Sequence, residues 1–370
     1  KGILYSWPRS YQGLEQGLNI NEDGSRNTFG GNYPFTFSPR DLWWNTYNQI
    51  TFLSRNKVIG SMGLAYSPFS WLSINGRLGL DFNLNEFERR FNPVNVLGVE
   101  EALYSNELDR NIVLNNDLII TAKKDKIFGS AFDASFTVGG TQWTRDQYGI
   151  NATANQWENP WLFSFNNYTG NNLENLPLAR ELRFNKKINS IFSFANLSYD
   201  NYLFLELSGR NDWSSALPDS NNSYFYPSAS LSYILSESIE LPWDWLNFVK
   251  LRGSFAKTAS DTDPFLLDFV YDTGTFGGQQ TASLPSTKPP LDLRPQQANS
   301  YEVGTTIGVL DDRITMDLTY YYIKSFDQIL ESPTPFSSGA SQVRINNGIL
   351  ENYGFEIGIK ANVWQGKSGY

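Results

Sequence analysis

Arg210 and Asp212 stand two positions apart in the stretch Gly209-Arg210-Asn211-Asp212-Trp213-Ser214-Ser215. On an extended strand, residues two apart share a face, so this spacing presents a guanidinium and a carboxylate on one side of a sheet. Such a pair can contact a polar cargo or can form an ion pair that fixes the sheet, and the residue types favour the second. Asp212 with Ser214 and Ser215 also suits a loop anchor made of side-chain-to-backbone hydrogen bonds. Trp143, Trp157 and Trp161 offer flat faces that stack on sugar rings or pack against a partner. The plainer use is a cluster that folds their own segment on itself. The Asp and Asn residues of 217–223 (LPDSNNS) carry oxygen donors of the kind calcium takes. The twelve-residue loop spacing with its Gly and terminal Glu is missing, and a polar hairpin tip fits better. Glu302, Glu356 and Lys360 are expected on the polar face as solvated or paired charges. Spacing alone leaves a carboxylate pair for glycoside hydrolysis open, but carboxylates scattered along a wall give no positive reason to propose one. Trp43 and Trp44 suit an interfacial girdle or loop packing.

The residues that are missing narrow the chemistry further. The chain has 370 residues with no His and no Cys. Within it there is no histidine base, no Ser-His-Asp triad, no imidazole-ligated zinc, no thiolate site and no disulfide framework. We therefore expect no cofactor, no metal and no enzymatic activity. A net charge of −9 disfavours a nucleic-acid surface, because phosphate binding relies on Lys and Arg. Aromatic residues make up 15% of the chain, which is not the composition of a disordered segment. Mean hydropathy is negative and no apolar run approaches the roughly 20 residues of a membrane helix. Neither fact bears on a membrane barrel, in whose strands every other side chain is polar.

What positions these residues is a two-residue period. Leu203, Leu205 and Leu207 alternate with Phe204, Glu206 and Ser208, and Ala195 and Leu197 carry the pattern upstream. A three-residue hairpin loop at 199–201, with Leu197 opposite Leu203, keeps the apolar faces together; a one-residue slip would split them. Phe225, Ala229, Leu231, Tyr233 and Leu235 give a third strand. The cleanest alternation is Leu72, Ile74, Leu78, Leu80, Phe82 and Leu84 against Ser73, Asn75, Arg77, Asp81 and Asn83. It is longer than the usual globular strand of about 5–6 residues and long enough to cross a bilayer when tilted. Similar patterns at 58–66, 118–122, 128–138, 249–256, 301–309, 314–322 and 353–359 bring the expectation to about eleven strands. Tyr199, Tyr202, Trp213, Tyr224 and Tyr226 gather at strand ends, where membrane barrels carry aromatic girdles.

The connections alternate between long and short. Long loops are expected near 1–55, 85–115, 140–187, 258–299 and 325–345, and short turns near 67–70, 124–126, 199–201, 236–248 and 311–312. An outer-membrane barrel sorts its connections in this way, with short periplasmic turns and long extracellular loops. A soluble sandwich or β-helix has no reason to. The fold class read from the sequence is therefore all-β, an antiparallel transmembrane β-barrel.

Several motifs then occur in order. Tyr202-Leu203 precede the Arg210-x-Asp212-x-Ser214-Ser215 stretch. Tyr226-Pro227-Ser228, Ser236-Glu237, Leu251-Arg252-Gly253-Ser254, Asn299-Ser300-Tyr301-Glu302-Val303-Gly304, Asn346-Asn347-Gly348 and Asn352-Tyr353-Gly354-Phe355-Glu356 follow it. This series resembles the SusC/RagA family of TonB-linked outer-membrane proteins, closely over about 190–360 and more loosely over 56–140. The resemblance implies a 22-stranded plugged barrel in a Gram-negative outer membrane, importing glycan or peptide cargo. It also implies a SusD-like surface lipoprotein as lid, the TonB complex as energy source and outer-membrane lipid around the wall. No plug and no TonB box is recognised in the sequence, so residues 1–370 are expected to be a fragment of the barrel domain. Two other readings stay open: a related barrel that serves as scaffold or receptor component of a larger complex, and a passive porin.

Overall fold

The computed structural model describes residues 49–96, 99–127, 131–154, 162–167, 178–277, 279–290, 292–311 and 313–362. In chain order the strands are β1 (Gln49–Phe69), β2 (Leu72–Val96), β3 (Val99–Ile127), β4 (Phe132–Ala154), β5 (Leu178–Tyr199), β6 (Leu203–Ser214), β7 (Ser223–Ile234) and β8 (Leu246–Ser260). They continue with β9 (Asp272–Phe276), β10 (Gln279–Ser283), β11 (Thr287–Lys288), β12 (Gln296–Val309), β13 (Ile314–Phe326), β14 (Ile329–Pro333), β15 (Gln342–Asn346) and β16 (Ile349–Ala361). Eleven of them form one sheet in the order β1-β2-β3-β4-β5-β6-β7-β8-β12-β13-β16. β9 and β10 pair as a hairpin, and β11, β15 and β14 form a separate three-stranded sheet. Among the described residues no helix is long and apolar enough to cross a membrane.

The described residues fall into two compact units, one within 60–80, 113–145 and 185–370, the other within 1–59, 81–112 and 146–184. In the first, register explains why the alternation matters. Leu197 pairs with Leu205, and the row continues through Leu231, Gly253, Val303, Tyr320 and Phe355 across seven strands. One residue along, the parallel row is Asn196, Glu206, Ser230, Ser254, Glu302, Tyr321 and Gly354. One face of the wall is thus continuously apolar and the other almost continuously polar. The apolar face is not covered: Val303 is 65% and Ile357 70% exposed. A water-soluble protein rarely leaves so large a contiguous apolar area open, whereas a strand wall facing lipid must. The buried core is correspondingly small. Leu217, Tyr224 and Leu293 form it, with Tyr226, Ala259, Leu267 and Ile329 against them.

The hairpin at the centre of the pattern differs from expectation by one position. Its loop is 200–202, and Leu197 faces Leu205, with Tyr199 opposite Leu203. Asp200 and Asn201 take positive φ, 47° and 58°, a conformation that Asp and Asn tolerate better than other non-glycine residues. Face assignment survives because the parity is unchanged.

The expected long loops are corrected more substantially. β1 begins at Gln49, inside the loop assigned to 1–55. The loop assigned to 85–115 is strand at both ends, since only residues 97 and 98 separate β2 from β3. Within the loop expected at 140–187, β4 runs on to Ala154 and β5 already starts at Leu178. The second unit supplies the reason. Across β3 and β4, Arg110 meets Asp146 at 3.2 Å, Gln147 donates to Asp109 at 2.8 Å, and Thr153 donates to Ser105 at 3.3 Å. Apolar and polar residues mix on the faces of these strand extensions, Tyr104, Leu108 and Ile112 alternating with Asn106 and Arg110 along one of them. No clean apolar period therefore marks them in the sequence, yet the backbone ladder runs on. Within 258–299 the wall strands reach Ser260 and resume at Gln296, with β9, β10 and β11 between. Within 325–345 lie the end of β13, then β14, a 3₁₀ turn at Phe336–Ser338 and most of β15. Short turns join the other ends of the wall strands, including a single helical turn at Leu235–Ser238 between β7 and β8.

Candidate functional site

On the polar face of β6, Arg210 Nε donates to Asp212 Oδ1 at 2.7 Å, and its Nη2 donates to Ser190 Oγ on β5 at 2.8 Å. A longer bond of 3.5 Å reaches Thr141 Oγ1 on β4, and the guanidinium carbon lies 5.9 Å from the centre of the Phe192 ring. Tyr226 on β7 donates to Asp212 Oδ2 at 2.5 Å. Four strands are stitched together by one pair. The Asp212 side chain is only 10% exposed, while Arg210 keeps 36%. Both carboxylate oxygens are engaged inside the wall and the side chain is nearly buried, so Asp212 is placed to hold Arg210 rather than to meet a ligand. Arg210 still presents part of its guanidinium.

The two serines that follow hold the rim. Ser214 Oγ accepts from the backbone N–H of Ala216 at 3.2 Å, and Ser215 Oγ accepts from that of Lys187 at 3.0 Å. Ser214 also donates to Asp261 Oδ2. Lys186 Nζ donates to Asp261 Oδ1 at 2.9 Å and to Thr262 O at 2.8 Å. Lys186 and Asp261 are 12% and 10% exposed, which makes this one of the best enclosed ion pairs among the described residues. It ties the root of the connection between β8 and β12 to the ends of β5 and β6. Nothing in the sequence announced it, because the partners lie 75 residues apart and neither sits in a recognisable pattern.

A second polar cluster spans β8, β12 and β13. Both terminal nitrogens of Arg252 bond Asp317, at 2.9 and 2.7 Å, in the fork geometry that favours Arg over Lys. Nη1 also donates to Thr306 at 3.0 Å and Nη2 to Thr319 at 2.5 Å. The guanidinium lies flat over Gly304, where an added Cβ would stand 2.8 Å from Nε. The glycine in the Tyr301-Glu302-Val303-Gly304 stretch is thus a space for the neighbouring strand's arginine. Gly354 does the same for Tyr321, whose hydroxyl would lie 2.9 Å from an added Cβ.

Beyond these strand ends three connections share one small body. Leu293 is fully buried between them. Asn221 Nδ2 donates to Asp292 O at 3.1 Å, so the residues of 217–223 weighed for calcium serve partly as a tie to the next connection. Asn346 and Arg294 exchange two bonds, at 2.8 and 2.7 Å, and β11 pairs in parallel with β15. From this body an apolar arm projects. Phe269 and Tyr271 pack edge to face at 5.6 Å, and Phe276 is 82% exposed. These exposed aromatics lie in a stretch without periodicity or motif, so the sequence carries no signal for them.

Trp143 is not in a loop. It lies within β4, half-buried, on the same face as Thr141 by strand alternation, because the strand outlasts its apolar period. Trp157 and Trp161 lie outside the described residues, as do Trp43 and Trp44. Of the expected site residues, the structure brings Arg210 and Asp212 together and sets Trp143 on the polar face of the neighbouring wall. In the other unit, Tyr104 packs against Phe165 with ring centres 4.7 Å apart. It belongs to the part of β3 that outruns a membrane crossing of about 9–11 residues. Burial, aided by the Glu88 carboxylate, holds its hydroxyl above the usual tyrosine range.

Comparison with known proteins places these features in context. The family described as "TonB dependent receptor-like, beta-barrel" matches residues 4–370. TonB-dependent receptor P26 of Formosa agariphila is 28% identical over 362 residues, covering 92% of this chain and 34% of that protein. TonB-dependent receptor P39 of the same organism is 21% identical over 308 residues, covering 79% of this chain and 29% of its own length. The chain therefore spans about a third of these relatives. Among solved structures, the RagAB peptide transporter superposes with a TM-score of 0.78 at 18% identity, over 87% of this chain and 36% of that one. The RagAB peptide importer in its open-open state gives the same score over 88% and 36%.

Proposed function

The chain belongs to the TonB-dependent receptor-like β-barrel family, and on that premise we propose that it is part of the wall of an outer-membrane importer. Cargo enters from the side of the long connections and passes along the polar face of the strands. The short-turn rim faces the periplasm, following the general order of such barrels. The observation that carries this reading is the two-faced register. Seven neighbouring strands keep an uncovered apolar row beside a polar one, as a wall between lipid and an aqueous passage requires.

The cargo is a glycan or a peptide, and the fold likeness to the RagAB peptide transporter favours a peptide. Arg210 and Trp143 are the wall residues suited to meet it, while Asp212 holds Arg210 in place. A SusD-like surface lipoprotein is the expected lid, on the side of the long connections, and the TonB complex the expected energy source. Purification of the full-length protein from outer membranes in mild detergent, with mass spectrometry of whatever co-migrates, tests this. An equimolar surface lipoprotein carrying a bound oligomer supports the importer. Co-migration with other machinery and no lid would make the barrel a scaffold component instead.

A further inference from the structure

On the apolar face, next to the short-turn rim, Ala122 of β3, Ala134 of β4 and Ala195 of β5 line a depression of about 370 Å³. Trp71, Ile127, Phe136 and Leu197 wall it, and Lys124 stands at its lip. Trp71 is held by stacking on Phe69, 5.5 Å between centres and 3° from parallel. Along β3 the outward residues run Leu118, Ile120, Ala122 and then Lys124, so an apolar file ends in a charge at the rim. Two neighbouring charges at this end of β3 are engaged within the protein. Lys123 pairs with Asp125 at 3.3 Å, and Asp133 accepts from the backbone N–H of Lys126 at 2.8 Å. Lys124 is exposed and has no carboxylate partner among the described residues.

We propose that this groove is a binding site for one anionic phospholipid of the periplasm-facing leaflet, one acyl chain lying in the groove and the phosphate meeting Lys124. An outward face of uniformly large side chains treats lipid as solvent. A depression lined by alanines beside a fixed indole forfeits dispersion contacts unless a chain fills it. A lysine at headgroup height, reaching from an apolar stem, favours a negatively charged headgroup over a zwitterionic one. The inference rests on the outer-membrane placement of the wall and on the short-turn rim facing the periplasm.

The test reconstitutes the full-length protein in nanodiscs of equal parts phosphatidylethanolamine and phosphatidylglycerol. After exchange into mild detergent, mass spectrometry identifies the retained lipid. Wild type is expected to keep phosphatidylglycerol in excess. Ala134→Leu, which fills the groove, should lose that lipid to background. Lys124→Gln should keep a lipid but lose roughly fivefold in headgroup preference, the worth of one lysine beside an anionic surface. Equal retention of both lipids by wild type, or retention by Ala134→Leu equal to wild type, overturns the site. Capture of lipopolysaccharide from native membranes in place of phospholipid overturns the leaflet assignment and the proposal with it. A heat-shifted band on gels reports folding of each variant, and Ala195→Leu replaces Ala134→Leu if the latter fails to fold. Failure of the membrane reading would show separately, as wild type absent from the outer-membrane fraction.

Discussion

Replacing Lys186 by Met tests whether one enclosed ion pair holds the root of the connection between β8 and β12. The Met keeps the length and apolar stem of the lysine and removes its charge. Asp261 then loses the contact at 2.9 Å and retains only the Ser214 hydroxyl, while Thr262 O loses its donor at 2.8 Å. Stripping one partner from a buried pair costs about 3–5 kcal/mol. Here about a tenth of each side chain still reaches solvent and the hydroxyl remains, so the lower figure of about 2–3 kcal/mol is appropriate. The connection is local and polar at its root, so this cost falls on local opening rather than on the wall. At about 1.4 kcal/mol per tenfold, the open population rises roughly 30- to 150-fold. Limited chymotrypsin digestion of the detergent-solubilised protein reads that population when reclosing outruns cleavage, with Phe269, Tyr271 and Phe276 as exposed targets. Cleavage should quicken by that factor while the temperature of the heat-shifted gel band stays put. Adding Asp261→Asn should restore much of the protection, because a neutral amide no longer leaves a charge stranded. Cleavage within about threefold of wild type, equivalent to under 1 kcal/mol, would show that Leu293 and its neighbours hold the connection without the ion pair.

Further expectations concern the wall itself. Gly304→Ala drives a methyl into the Arg252 guanidinium and should cost about 2–3 kcal/mol through its displaced charge-assisted bonds, seen as a lower unfolding temperature. The same change at Gly63, where the nearest non-neighbour atom would be 3.8 Å away, should be nearly silent. Tyr226→Phe leaves one oxygen of nearly buried Asp212 without its donor, and a loss of about 1–3 kcal/mol is expected in urea-dependent refolding into lipid vesicles. Leu231→Arg should cost about 2–4 kcal/mol in the same assay if its face meets lipid near the midplane. Ser230→Arg, one residue away on the polar face, should be tolerated. Equal penalties at 230 and 231 would contradict the two-faced wall.

The readable part of this fold was the part that lies between two unlike solvents. Leu231 and Ser230 differ in what they face, so their alternation wrote the strand into the sequence. Asp109 and Arg110 do not differ in that way, and no alternation marks the part of β3 that holds them. The hairpin loop slipped by one position for a related reason: parity fixes the face but not where two left-handed residues make the turn. At the candidate site, Arg210 and Asp212 were legible because strand geometry brings i and i+2 together. The Lys186–Asp261 pair and the aromatic arm near Phe276 depend on which connections meet, and short-range patterns hold no record of that.

The parallel pairing of β11 with β15 has a consequence for the order of assembly. Thr287 and Lys288 cannot find their partners until Gln342 and Val343 have been delivered by the β12–β13 hairpin between them. The wall strands pair with near neighbours and can zip in sequence, whereas this cross-link closes a long stretch of chain and must come late. Until then the connection that starts at Asp261 is held by its root and by the contacts of Asp292 and Leu293 with the β6–β7 connection, so its last anchor forms only when the chain beyond β13 is in place.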